Sequence, residues 1–320
     1  TAPLAPHEGS FQTNVRRYTE GKYHRFKHPL FKGLGANARV APIKCDGWSR
    51  EESIPRQRQT PAESRHMLTT RYQKVDTLSV VDIARMHELF EANYAYSPLS
   101  TFISDLEKKD GAFIVRHKGT QEIVGFSTLG IYTFKLGGKK AKGLFSGDTI
   151  IDRNYWGSRS LQKAFAFKLF WEALKSPLTP QYWTLISKGY KTYLLLARNF
   201  PDFYPKRGGT ASTDLQDLVI EYCDAMFPGK LDHDRMLLDF GDGANCLKEH
   251  VAAITDDMRA DPDIAFFEQR NPTWQRGTEL PCIAHADLKT FMGYIWPFIA
   301  KTLRGKKSGV ARTDQATRTA

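Results

Sequence analysis

The chain is predicted to fold as an α/β domain, and three observations carry that expectation. Segments of period two and segments of period 3.6 alternate from Leu68 onward. Three of the period-two segments follow one another as a meander, with Lys118-Gly119 and Leu136-Gly137-Gly138-Lys139 supplying the turns. The 320 residues are 41% apolar with a mean hydropathy of −0.46, enough to bury a core, which excludes collagen-like, disulfide-stapled and fully disordered chains.

Residues 1–66 are rich in Pro, Gly, Arg and Gln and hold no sustained periodicity, so they are expected as an extended basic arm. Phe11, Tyr18, Tyr23, Phe26, Phe31 and Trp48 are too many aromatics for a free linker, so the arm is expected to wrap the folded body. Thr70–Leu78 reads as a strand. Val80–Tyr94 is predicted as a helix with Ile83, Met86, His87 and Phe90 on one stripe, and Pro98–Lys109 as a second helix stopped by Asp110-Gly111. Ala112–His117, Glu122–Phe134 and Leu144–Asp152 are the strands of the meander. In the helix Leu161–Leu174, Leu161, Phe165 and Leu169 stack at i, i+4, while Phe167, Trp171 and Leu174 widen the apolar surface, so it is expected to be largely buried. A strand Tyr182–Ser187, a helix Tyr190–Asn199 and a turn-rich stretch over 200–209 follow. Asp214–Phe227 and Cys246–Met258 then read as helices, Ile264–Gln269 and Pro281–His285 as strands, and Asp287–Leu303 as a terminal helix bent at Pro297.

The longest apolar runs, at Leu161–Leu174 and Phe291–Leu303, are interrupted by Lys and fall short of the roughly 18 to 20 residues of a membrane-spanning helix. Cys45, Cys223, Cys246 and Cys282 are scattered with no C-x-x-C pair, so no zinc site or disulfide framework is expected, and a reducing, cytoplasmic compartment fits. Asp232-His233-Asp234 and Asp239-Phe240-Gly241-Asp242-Gly243 are too isolated to predict a metal. Net charge is +11, unevenly placed. Residues 1–74 carry +8, 75–204 carry +5, 205–299 carry −7 and the last 21 residues +5. Such a field draws an anionic partner to one surface and a cationic one to another.

The motif Ile151-Asp152-Arg153-Asn154-Tyr155-Trp156-Gly157-Ser158-Arg159-Ser160-Leu161 is a strand, a loop and a helix start, where outward N–H groups and the positive helix end suit a phosphate. With the element order strand, helix, helix, meander, loop, buried helix, strand, helix over about 68–209, this motif resembles the GNAT superfamily of acyl-coenzyme A-dependent N-acyltransferases. Trp156, Arg159 and Leu161 depart from the usual occupants of that family's phosphate loop, whereas Tyr155 and Gly157 match common ones. Downstream, Asn199 and Tyr204 fall where many members of the family carry an Asn and a Tyr that protonates the leaving thiolate.

The resemblance implies a mixed, mostly antiparallel sheet with helices on both faces. The domain is expected to span 67–305 with a mainly helical insert at about 210–260, which leaves 306–320 as a basic tail. It implies coenzyme A or its acyl thioester as co-substrate, without a metal. Thr149, Ile150 and Ile151 are expected to pair with the pantetheine arm, and Trp156, Gly157, Ser158, Arg159 and Ser160 to cradle its phosphates, with Arg159 supplying a guanidinium and Asn199 assisting. Asp148 is expected to share a strand face with Leu144, Ser146 and Ile150; it or a water is expected to serve as base, and Tyr204 as acid. The reaction expected is direct attack of an amine on the thioester. Acyl-carrier protein is a possible donor, and Asp214, Asp217 and Glu221 at i, i+3, i+7 are candidates to guide a cationic acceptor. The alternative is a catalytically silent protein of the same fold whose basic arm holds an anion such as nucleic acid, a partner the enzyme reading makes unlikely. Oligomeric state is left open.

Overall fold

The computed structural model describes residues 67–293, apart from 137–138, 210–212, 242–244, 249–250 and 252. The arm, the tail and the terminal helix beyond 293 lie outside the described residues. Strand β1 (Leu68–Lys74) ends in a short 3-10 turn, and helix α1 (Val80–Asn93) starts at Ser79, whose hydroxyl accepts from the Asp82 N–H. A two-residue strand β2 (Tyr94–Ala95) leads to α2 (Leu99–Glu107). The meander follows as β3 (Gly111–His117), β4 (Ile123–Leu136) and β5 (Lys139–Ile151). Helix α3 (Ser160–Lys175), strand β6 (Gln181–Ser187), helix α4 (Tyr190–Asn199) and the short strand β7 (Phe203–Tyr204) come next.

The expected insert contains α5 (Thr213–Met226) and the small strands β8 (Leu231–Asp232), β9 (Leu237–Leu238) and β10 (Cys246–Leu247), the last paired with β2. Of the predicted helix Cys246–Met258, Cys246 and Leu247 are instead β10, and a single turn α6 (Asp256–Arg259) follows; residues 249–250 and 252 of it lie outside the described residues. The predicted strand Ile264–Gln269 is instead helix α7 (Pro262–Arg270). Asp261 caps it by accepting from the Asp263 N–H, Pro262 occupies the first turn, and Ile264 and Phe267 are buried at i, i+3. Strand β11 (Leu280–His285) closes the sheet.

The strands form one seven-stranded sheet in the order β1-β3-β4-β5-β6-β11-β7, antiparallel except for the parallel pair β5 and β6. Alternate residues face opposite sides. On one face Phe113, Val115, Leu144 and Leu185 meet Leu161 and Leu169 of α3, Tyr193 and Leu196 of α4, and Phe267 of α7. On the other, Ile114, Phe126 and Ile150 pack on Met86 and Phe90 of α1 and Phe102 of α2. Further along that second face, Ala141, Tyr182 and Ile283 pack on Leu215, Leu218 and Tyr222 of α5. The fold is the mixed, mostly antiparallel sheet with helices on both faces that the sequence implies. Helix α3 is less enclosed than expected: Leu161, Leu169 and Ala173 are buried, while Phe167, Trp171 and Leu174 face outward, the first two stacked 6.3 Å apart.

Candidate functional site

Strands β5 and β6 are hydrogen-bonded only from Lys142↔Gln181 to Ser146↔Leu185. Beyond Ser146, β5 continues to Ile151 against β4 alone, and β6 continues to Ser187 against β11 alone. Two backbone edges thus face each other without a shared ladder, the arrangement that accepts an extended, amide-bearing arm. The pairing Ser127↔Thr149 next to Leu129↔Ser146 places Gly147 and Asp148 opposite the single residue Thr128, a β-bulge. The bulge changes the parity of the strand. Leu144 packs on the α3 face, whereas Ile150 packs on the α1 face, so the four residues expected to share one face do not. A bulge needs a residue without a side chain here, because a Cβ on Gly147 would lie 2.4 Å from Thr128 Oγ1.

A cavity of about 1300 Å³ occupies this gap and reaches both faces of the sheet. Tyr94, Thr101, Asp105 and Lys109 line it from α1–α2, Tyr222 and Phe227 from the α5 side, and Gln162, Tyr190 and Leu195 from α3 and α4. Gly147, Asp148, Thr149, Ile150 and Ile151 form its wall on β5. Asp148 is enclosed, and burial raises its pKa above the usual carboxylate value, while the nearby cations Lys109 and Lys188 oppose the rise. Burial lowers the pKa of Lys109, against the pull of Asp148. Lys188 is held by Glu279 at 3.0 Å and by the Asn245 side chain. Burial also raises the Tyr94 phenol, with the charges of Asp148 and Glu279 adding to the effect.

At the α3 end, Asp152 Oδ1 accepts from the Asn154 N–H, and Gly157 takes φ +84°, a left-handed conformation suited to glycine. Trp156 Nε1 donates to the Ile151 carbonyl at 2.8 Å, pinning the loop to the end of β5. The Lys191 ammonium sits 3.7 Å from the centre of the Trp156 ring and donates to the Val251 carbonyl, with the Arg153 guanidinium 5.9 Å from the same ring. Burial and the charge of Arg153 lower the Lys191 pKa.

The expected site residues separate into two groups. Asp148, Thr149, Ile150, Ile151, Trp156, Gly157 and Ser158 line the cavity. Their side chains are partly committed: the Thr149 and Ser127 hydroxyls are 2.7 Å apart, Ile150 is in the core, and the Ser158 hydroxyl accepts from the Ser160 N–H. The other four are placed elsewhere. Ser160 Oγ accepts from the Thr70 hydroxyl, and Arg159 is an exposed residue preceding α3 that does not line the cavity. Asn199 is exposed on the last turn of α4, where its Nδ2 donates to the Leu195 carbonyl. Tyr204 is buried in β7, paired with Ile283, because β11 occupies the place beside β6 and moves the Tyr204 strand one position away from the gap. Asp214, Asp217 and Glu221 lie on the exposed side of α5, outside the cavity wall.

Sequence reasoning missed Lys109, Lys188, Lys191 and Tyr94. Lys108-Lys109 is an ordinary helix-end pattern, and nothing local distinguishes an inward lysine from a solvated one. Among the described residues no cluster of three or more His, Cys, Asp or Glu is arranged to hold a metal ion, and no helix is long and apolar enough to cross a membrane.

No protein-family model and no curated protein matches the chain. Among solved structures, similar ones include an Enterococcus faecalis protein of unknown function titled a probable N-acyltransferase, at 13% identity over 39% of this chain and 31% of that one, TM-score 0.31. A GNAT family N-acetyltransferase of Escherichia coli in complex with CoA aligns at 8% identity over 43% of this chain and 67% of that one, TM-score 0.29. A Trypanosoma brucei acetyltransferase aligns at 20% identity over 40% of this chain and 89% of that one, TM-score 0.29. The alignment spans less than a third of the first of these, and the likeness is a partial one, of fold alone.

Proposed function

We propose that the chain is an acyltransferase that moves an acyl group from a coenzyme A thioester to an amine. The observation that carries this reading is the cavity through the β5–β6 gap, with the Asp148 carboxylate on the bulge in its wall, between lining residues of the 156–158 loop and of the α2 end. The unpaired β5 edge at Gly147–Ile151 suits the amides of a pantetheine arm, and Lys191 and Arg153 beside Trp156 give the loop side of the cavity the charge for the donor's phosphates.

In this scheme Asp148 takes a proton from the acceptor ammonium, and a raised carboxyl pKa narrows the gap to the amine and favours that transfer. The amine nitrogen bonds to the thioester carbon while a backbone N–H of the bulge faces the carbonyl oxygen. As the C–S bond breaks, the thiolate takes a proton from a phenol, and the second proton lost by the nitrogen as the amide forms returns to that phenolate by way of solvent. Five tyrosines line the cavity; the Tyr132 hydroxyl is engaged with Thr184 and that of Tyr222 donates to the Leu185 carbonyl, so Tyr94 and Tyr190 are taken as the first candidates for that step, while Tyr204, in β7, does not line it.

Release of free thiol from acetyl-coenzyme A in the presence of an amine panel tests the reaction. Asp148→Asn is expected to lower kcat about 10²- to 10³-fold with donor affinity by calorimetry unchanged. Thiol release at the wild-type rate in Asp148→Asn, or no donor binding by the wild type, would overturn the assignment. Tyr94→Phe and Tyr190→Phe, measured separately, identify the proton donor.

A further inference from the structure

Five carboxylates line the cavity, and four of them are occupied by the protein itself. Asp105 holds Lys108 at 3.0 Å, Asp110 accepts from the Ile131 N–H, Asp224 lies 3.3 Å from His233, and Glu279 holds Lys188. Of the four lysines in the wall, Lys108 and Lys188 have those partners and Lys191 donates to the Val251 carbonyl. One group of each sign is left over. Asp148 accepts no hydrogen bond from another described residue, and Lys109 makes neither a hydrogen bond nor an ion pair through its ammonium among them; it lies 4.7 Å over the Phe145 ring.

The two remaining groups line the same cavity, and among the described residues no ion pair joins them. Leaving two opposite charges enclosed and unjoined costs free energy that a ligand bearing the complementary pair recovers. We infer that the acceptor is a zwitterion, an amino acid whose amine meets Asp148 and whose carboxylate meets Lys109. Identifying that amine as the acceptor rests on the transfer reading above; the pairing of charges does not. A polyamine is disfavoured by the same geometry, since its second cation would approach Lys109. Tyr132, Phe145, Phe227 and Phe240 in the adjoining wall suit an apolar or aromatic side chain.

The test is equilibrium binding by calorimetry to the full chain, with amino acids each paired with their own amide, the phenylalanine and phenylalaninamide pair first. 2-Phenylethylamine lacks the carboxylate, 3-phenylpropanoate lacks the amine, and an aminoalkyl phosphate replaces one anion by another. At least one amino acid is expected to bind tenfold or more tightly than its amide, than the matching amine and than the matching acid. Lys109→Met is expected to abolish the difference between amino acid and amide, and Lys109→Arg to retain most of it. Amides that bind as tightly as their amino acids, or amino acids that do not bind, would overturn the inference. So would a difference that survives Lys109→Met, or an aminoalkyl phosphate preferred over every amino acid. Because the comparison is first made in the wild type, a Lys109→Met protein that fails to fold leaves it decided. Zwitterion binding through Lys109 with no thiol release would remove the transfer reading alone, and thiol release with equal kcat/KM for amino acids and amides would remove this inference alone.

Discussion

In the proposed transfer Asp148 is the base, and the direction of its titration follows from its surroundings. Burial raises its pKa above 3.8; Lys109 and Lys188 lower it, and Asp105 adds to the rise. The other groups in the field are Glu279, the partner of Lys188, and the Tyr94 phenol. The base form is lost as pH falls, so kcat/KM is expected to show an acidic limb above the ordinary carboxylate range. Lys109→Met removes a cation that favours the carboxylate, and the limb should move to higher pH. A limb that stays in place or moves to lower pH in a pH–rate profile would separate Asp148 from the base role. Asp148 was legible in the sequence as a carboxylate in an apolar strand. Lys109 was not, since its proposed role comes from its side chain lying beside Gly147 of the bulge and not from any local pattern.

The elements that build the site depend on one irregularity. Gly147 lets two residues of β5 face Thr128, and Gly147→Ala would place a methyl group 2.4 Å from Thr128 Oγ1. Gly147→Ala is therefore expected to destabilise the fold by about 1–3 kcal/mol. Thr128→Ala deletes the clashing atom, whose hydroxyl is buried without a hydrogen bond, so the double variant should recover a good part of the loss in a denaturant titration. Additive losses would mean that the bulge is not maintained by that fit.

Most elements could be read in advance because period-two and period-3.6 patterns survive in single sequences. The bulge could not, since parity is set by pairing with β4. The run Ile264–Gln269 was misread because a short apolar run suits strand and helix alike; the Asp261-Pro262 start was the signal that distinguishes them. Tyr204 was misplaced for a topological reason, the insertion of a C-terminal strand between β6 and β7.

At the scale of the molecule, the acidic residues of α5 that were candidates to guide an acceptor do not line the cavity. Asp214, Asp217 and Glu221 are on its exposed side, so replacing them by Asn, Asn and Gln is expected to leave the acceptor KM within about twofold. A larger rise across an amine panel would return them to the site. Lys191 and Arg153 stand at the 153–158 loop, so if that loop holds the donor's phosphates as proposed, donor affinity should fall as ionic strength rises.

The interrupted ladder also bears on mechanics. One block of sheet, β1-β3-β4-β5, is joined to the other, β6-β11-β7, through only five residue pairs, all at one end. The open end is a seam, and an arm bound along it is expected to act as a rivet between the two blocks. Amides of 147–151 and 186–187 should then slow together in hydrogen exchange when donor is added, far more than those of the outer strand β1. Uniform slowing across all strands would mean that the sheet already moves as one plate, with the ligand a passenger in it.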